Sequence, residues 1–184
     1  MNIQDISFTL RDGRSAIIRS PREEDAQALI DYLKVSSGET EFILRYPEEC
    51  GVYTLENEKA IIQEWSESPN EITMVCSVDG EIAGNCNLSF NTRLKTRHRA
   101  SVAIALTRKF WNLGIGTRMF EEMIRLASLK PDVTQMELEF IEGNSRARHL
   151  YEKMGFRIVG IHPNAIRLKD GSYRNEYLMI RPVE

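Results

Sequence analysis

The stretch that decides the fold reads Ile104-Ala-Leu-Thr-Arg-Lys-Phe-Trp-Asn-Leu-Gly-Ile-Gly-Thr117. An apolar strand pattern runs into a loop holding Gly114 and Gly116, and apolar residues at helical spacing follow directly. Glycine lets a backbone approach a ligand closely, and the first N–H groups of a helix have no internal partner. The segment therefore predicts a strand–loop–helix turn whose main-chain amides form an anion site suited to phosphate.

Other interpretations of this loop are a plain turn, which stays open, and two nucleotide-binding motifs, which fit poorly. A plain strand-to-helix turn explains two glycines equally well. A dinucleotide-binding fingerprint requires a third glycine where Met119 stands, and a P-loop requires a lysine directly before Thr117. A nucleotide-binding domain is therefore a weak alternative.

A second segment, Asn144-Ser-Arg-Ala-Arg-His-Leu-Tyr-Glu-Lys-Met-Gly-Phe156, lies downstream of the glycine loop. With that loop, it resembles the GNAT superfamily of acetyl-CoA-dependent N-acetyltransferases. Trp111 stands where that superfamily usually has Gln or Arg. Backbone amides are expected to make most of the contacts with the CoA pyrophosphate there. The second motif is matched at Asn144, Ala147, Leu150, Tyr151, Lys153, Gly155 and Phe156.

The resemblance implies an α/β (α+β) fold: a mixed, mostly antiparallel central sheet of about six to seven strands flanked by about four helices. Acetyl-CoA is the implied cosubstrate, with its pantetheine arm inserted where the central strand splays from its parallel neighbour. In this chain, Ile104 and Leu106 are expected to present backbone groups to that arm. The remaining implied binding residues are Leu113, Gly114, Ile115, Gly116 and Thr117 for the pyrophosphate and Asn144 for the pantetheine.

Transfer of an acetyl group to an amine requires a donor to the oxyanion and a proton for the leaving thiolate. A backbone N–H near Leu106 is the candidate oxyanion donor, and Tyr151 is the candidate general acid. The competing interpretation of Tyr151 is a packed aromatic on an amphipathic helix. The general base is open, because Ser101 stands where many members carry Glu, and Glu139 and Glu142 fit solvent-exposed positions better.

The patterning along the rest of the chain predicts the order βααβββαβαββ in a single domain, residues 1–184. Pro21 and the acids after it indicate a helix start, and residues 36–54 read as irregular. Asp79-Gly80 predicts a type I′ turn between strands Glu71–Val78 and Glu81–Phe90. The last two strands are predicted at Phe156–Ile161 and Tyr173–Ile180, and no strand is predicted before Ser15.

Composition narrows the class of protein. The net charge of -3 excludes a polycation that coats nucleic acid. No apolar run approaches the roughly 20 residues of a membrane-spanning helix, and no signal peptide is apparent. Three scattered cysteines argue against a disulfide framework, and no metal site is expected. We therefore expect a cytoplasmic protein without nucleic-acid or membrane partners, and possible homodimers by the resemblance.

The leading hypothesis is transfer of an acetyl group to a primary amine of a small molecule or protein N-terminus, by direct attack in a ternary complex. Residues 35–54 correspond to the segment that walls the acceptor site in the family. Its four glutamates would suit a cationic amine, although a solvated loop explains them too. The alternative from another class is a non-catalytic acyl-CoA-binding regulatory module, which Ser101 favours slightly.

Overall fold

The computed structural model describes residues 1–183. Within these residues the chain forms a mixed sheet of eight strands with four α-helices. The strands are β1 (Ile6–Thr9), β2 (Ser15–Arg19), β3 (Glu71–Val78), β4 (Glu81–Phe90), β5 (Arg99–Leu106), β6 (Gln135–Ile141), β7 (Arg157–Arg167) and β8 (Tyr173–Pro182). The helices are α1 (Ala26–Glu39), α2 (Leu55–Glu67), α3 (Ile115–Ser128) and α4 (Ser145–Lys153).

The chain divides into two compact units. The first contains Met1–Ser89 and Ala103–Met119, with β1 to β3, most of β4, α1, α2 and the last residues of β5. Its strands β1 to β4 pair antiparallel in chain order. Ala26, Leu29, Ile62 and Val75 belong to one buried cluster that packs the two helices onto the sheet.

The second unit contains Phe90–Val102 and the chain from Phe120 onward. The start of β5 pairs parallel with β6, and β6 and β7 both pair antiparallel with β8. Strand β5 therefore belongs to both units, and the strand order is β1-β2-β3-β4-β5-β6-β8-β7. The parallel ladder joins Arg99, Ala100 and Ser101 to β6, although β5 continues to Leu106.

The predicted fold class and the four-helix count are confirmed, and the strand count is corrected to eight. The missed strand is β1, which pairs Ile6 with Ile18 and Phe8 with Ala16. Its four residues lie among polar neighbours, so the alternation of Ile6 and Phe8 is too short to stand out. The Asp79-Gly80 turn is confirmed by φ angles of 51° and 81°.

The irregular interpretation of residues 36–54 was wrong in part. Helix α1 continues to Glu39, and Pro47–Val52 forms a 3-10 helix. Pro47 supplies the fixed φ angle that favours a helical first position. The acids before α1 form a separate 3-10 turn, Glu23–Asp25, so the α-helix proper begins at Ala26.

The three cysteines are buried and form no disulfide. Within residues 1–183, no helix is both long and apolar enough to cross a membrane. The same residues contain no cluster of three or more His, Cys, Asp or Glu side chains that fits a metal ion.

Candidate active site

The glycine loop lies in the first unit and opens α3, as the sequence predicts. Gly114 has a φ angle of +96°, and a Cβ added there would meet nothing within 4 Å. The backbone N–H of Arg118 donates to the Gly114 carbonyl at 3.1 Å, closing the first turn. The N–H groups of residues 115–117 precede that bond and have no intrahelical acceptor. The turn thus presents main-chain donors beside an open surface.

Contacts from the β1–β2 turn fix the orientation of this loop. The Arg11 backbone N–H donates to the Leu113 carbonyl at 3.2 Å, and the Arg11 Nη1 donates to the Asn112 carbonyl at 3.3 Å. In a trans peptide the N–H points opposite to the C=O. The amides of Leu113 and Gly114 therefore point away from Arg11.

The end of β5 directs its backbone groups to two edges. The Thr107 N–H donates to Ala83 of β4 at 3.1 Å, and the Ala105 carbonyl accepts from the Tyr32 hydroxyl at 2.8 Å. Alternate residues of a strand point their backbone groups to opposite edges. Ile104 and Leu106 therefore point theirs away from β4, which suits the role the resemblance gives them.

Trp111 does more than replace a Gln or Arg. Its indole Nε1 donates to the Leu106 carbonyl at 2.8 Å, and the Arg108 guanidinium lies 5.6 Å from the centre of its ring. The Leu106 carbonyl is therefore satisfied within the protein. Within residues 1–183 the ladder between β5 and β6 ends at Ser101, so the Leu106 N–H and both backbone groups of Ile104 lie on a part of this edge that β6 does not pair, which we call the free edge of β5.

Tyr151 lies in the second unit, on α4, with 7% of its surface exposed. Edge contacts surround its ring, with centroids at 5.5 Å to Phe120 and 5.9 Å to Phe140. Its hydroxyl has no hydrogen-bond partner within residues 1–183. Burial raises the pKa of Tyr151 to about 12, so the hydroxyl keeps its proton at neutral pH.

The matched motif around Tyr151 also has a folding role. The Asn144 side chain caps α4 by accepting from the Ala147 N–H at 3.2 Å. Gly155, at a φ angle of +85°, ends the helix, and the Phe156 N–H donates to the Tyr151 carbonyl at 3.0 Å. This is a Schellman motif, in which a left-handed residue favours glycine. The motif therefore fixes both ends of α4.

Ser101 is held by a carboxylate on the neighbouring strand. The Arg99 guanidinium donates to both oxygens of Glu137, at 2.7 and 2.8 Å, and the Ser101 hydroxyl donates to one of them at 3.1 Å. Glu137 is 9% exposed, and this paired arrangement joins β5 to β6. Glu139 is exposed, and Glu142 accepts from the Asn175 N–H at 3.1 Å. None of these observations identifies a base.

Two functional candidates escaped the sequence analysis. Tyr32, on α1, is 4% exposed and lies 3.0 Å from the Asn85 side-chain amide as well as bonding Ala105. Glu58, on α2, is 1% exposed. A usable signal existed for Glu58, because it stands one helical turn before buried Ile62 on the apolar face.

The basic residues of the glycine loop and of α4 make different contacts within the protein. Lys109 pairs with Glu81, and the Arg108 backbone N–H donates to Glu39 at 2.7 Å. On α4, Arg148 pairs with Glu152 at 2.8 Å. Two of the four glutamates in residues 35–54 therefore bind within the protein. Glu39 accepts from the start of the glycine loop, and Glu49 accepts from the Tyr46 N–H at 2.7 Å.

Comparison with known proteins agrees with this geometry. Residues 39–156 match the Acetyltransferase (GNAT) family. The chain is 27% identical over 116 residues to L-amino acid N-acetyltransferase AaaT of Escherichia coli strain K12, covering 63% of this chain and 71% of that protein.

Solved structures share the fold over nearly the whole chain. A GNAT-family acetyltransferase from Streptococcus pneumoniae aligns with a TM-score of 0.83 and 28% identity, covering 92% of this chain and 99% of that one. YncA of Salmonella typhimurium, a putative acetyltransferase solved with acetyl-CoA, aligns at 0.75 and 15% identity, covering 91% and 93%. The chain has a strand–loop–helix turn lined by main-chain amides, and the family match covers more than half of its length. The chain therefore belongs to the GNAT acetyltransferase family.

Proposed function

We propose that the protein transfers the acetyl group of acetyl-CoA to a primary amine of a small molecule or a protein N-terminus, by direct attack in a ternary complex. The observation that carries the proposal is the amide-lined turn at the start of α3, beside the free edge of β5.

In this proposal the amides of residues 113–117 hold the CoA pyrophosphate. The open space at Gly114 fits a close approach of phosphate oxygens to the backbone. Free N–H groups and the positive end of the helix dipole both favour an anion there. Ile104 and the Leu106 N–H bind the pantetheine arm by main-chain hydrogen bonds, as an added strand would. Asn144 contributes the amide nitrogen that its capping bond leaves free.

Acetyl-CoA supplies an activated carbonyl carbon. The Leu106 N–H donates to the carbonyl oxygen, and this fixed donor stabilises the negative charge that develops there in the transition state. Tyr151 donates a hydrogen bond to the leaving sulfur. Its pKa of about 12 exceeds the value near 8.5 of an ordinary thiol, so Tyr151 stabilises the thiolate mainly as a donor rather than by complete proton transfer.

The test is a thiol-release assay with acetyl-CoA against a panel of primary amines, run beside calorimetry with CoA alone. The panel includes free L-amino acids and short peptides with free N-termini. We expect CoA to bind and at least one amine to stimulate release. Binding without release for any amine would instead support a non-catalytic acyl-CoA-binding module, and no heat with CoA would refute the proposal.

A further inference from the structure

Two charged side chains of the first unit leave polar atoms buried and without a partner. Within residues 1–183, the buried side-chain atoms that lack a hydrogen bond are Arg45 Nε and Glu58 Oε2. Glu58 is 1% exposed. A buried charged group with an atom that lacks a hydrogen bond is unfavourable, and native proteins rarely retain one without a reason. A bound ligand is one such reason.

Within residues 1–183 the two groups form no ion pair, yet the Arg45 charge acts electrostatically on the Glu58 carboxyl. Burial raises the pKa of Glu58, and the positive charge of Arg45 offsets part of that rise. Arg45 is instead held by Tyr53: its Nη1 donates to the Tyr53 hydroxyl at 3.0 Å, and the guanidinium lies 5.2 Å from the centre of the Tyr53 ring. These contacts leave the buried Arg45 Nε without a hydrogen bond within residues 1–183.

The pair also lies near the end of β5. Burial raises the pKa of Tyr32, and the charge of Arg45 is among the effects that offset it, so Arg45 is within electrostatic reach of that hydroxyl. The Tyr32 hydroxyl in turn donates to the Ala105 carbonyl, between Ile104 and Leu106. A ligand held by Arg45 would therefore lie within electrostatic reach of the Tyr32 hydroxyl at this strand end.

We infer that Arg45 and Glu58 recognise the acceptor, and that the acceptor is an amino carboxylate, with an anionic group close to its amine. This inference rests on the proposed transferase function and names its acceptor class. Arg45 binds the carboxylate through charge-assisted N–H···O bonds, which a guanidinium fork makes well. Glu58 accepts a hydrogen bond from the amine.

Other amines fit this pair less well. A polyamine would bring a second cation toward Arg45, which would remain unpaired. A protein N-terminus has an amide where a free amino acid has its carboxylate, so it offers Arg45 no anion. Arg45 lies between α1 and the Pro47–Val52 turn, outside any helix or strand. The ligand reaches the buried pair by displacing this loop, since loops open at lower free energy than packed elements.

The first test uses the unmodified protein and three matched ligands: an L-amino acid, its amide, and the amine that lacks the carboxyl group. Each is measured by calorimetry without acetyl-CoA and by thiol release with it, across several side chains. We expect the best amino acid to exceed both its amide and the amine without the carboxyl group by about 10- to 100-fold in affinity and in kcat/KM. This is the factor that loss of a charged hydrogen bond implies. Equal affinity and equal kcat/KM for the amine without the carboxyl would overturn the inference.

The second test uses Arg45→Lys and Glu58→Gln, with Glu64→Gln as an exposed control on the same helix. We expect Arg45→Lys to raise KM about tenfold for the amino acid and much less for the matched amine, because lysine lacks the fork. CoA affinity and the melting temperature show whether each variant is folded. Equal losses for both ligands would mean that Arg45 is structural, which would overturn the inference.

The failures are distinguishable. If CoA binds and several amines are acetylated without preference for a carboxylate, the proposed function stands and the inference fails. If no amine is acetylated but amino acids bind the protein through Arg45, the recognition pair stands and the transferase proposal fails. If no amino acid binds or reacts, the inference is refuted.

Discussion

Gly84 on β4 packs too closely against β5 to leave room for a side chain. A Cβ added there would lie 2.2 Å from the Leu106 Cδ2, 2.5 Å from the Ala105 carbonyl oxygen and 3.2 Å from the Leu106 Cα. The Leu106 side chain can rotate away, but the two backbone atoms cannot move without shifting β5. Replacing Gly84 by Ala therefore forces the two strands apart.

The size of the effect follows from these contacts. Overpacking by one methyl group costs about 1–3 kcal/mol, and the backbone clash places Gly84→Ala near the upper end, at about 2–3 kcal/mol. The φ angle of Gly84 is not left-handed, so the loss is steric. For a chain of this length, about 2–4 °C of melting temperature is lost per kcal/mol, which predicts a fall of about 4–12 °C.

Thermal and urea unfolding of the purified protein measure the change. Gly160→Ala, on β7, is the matched control, because its added Cβ would meet only the Leu178 Cβ at an ordinary 3.9 Å. We expect the control to change stability by less than about 0.5 kcal/mol. If Gly84→Ala melts at the same temperature as the wild type, the claim that this close approach sets the spacing of β4 and β5 is refuted.

Two further predictions concern single side chains. Tyr151→Phe should lower kcat with little change in CoA affinity, and an unchanged kcat would remove Tyr151 from the mechanism. Because the pKa of Tyr151 is about 12, deprotonation of this group should not lower wild-type turnover up to about pH 10. Asp25 accepts from Arg19 at 2.6 and 2.7 Å, and although burial alone would raise its pKa, these bonds hold the pKa below the ordinary value. Asp25→Asn should therefore destabilise the protein by about 2 kcal/mol near neutral pH. Because a depressed pKa stabilises the folded state above the unfolded value near 3.9, the difference should disappear as pH falls below about 4, and a gap independent of pH in urea unfolding would contradict this account.

Local patterns were enough for most of the fold. The Asp79-Gly80 turn, the apolar spacing of α3 and the helix closed by Gly155 each depend on residues close together in the chain. Strand β1 escaped because its formation depends on pairing with β2, and a strand that short has little pattern of its own. The turn at residues 47–52 escaped for a related reason, since apolar spacing does not mark so short a helix.

The sequence by itself determined the family and the amide-lined turn at Gly114, because backbone conformation and helix starts are set by residues adjacent in the chain. Only the tertiary structure decided that Trp111 satisfies the Leu106 carbonyl and that Glu137 binds Ser101. It alone decided that Arg45 Nε and Glu58 Oε2 are buried without a hydrogen-bond partner within residues 1–183. These relations depend on how distant segments pack, and no spacing along one chain specifies the direction or burial of a side chain on another element.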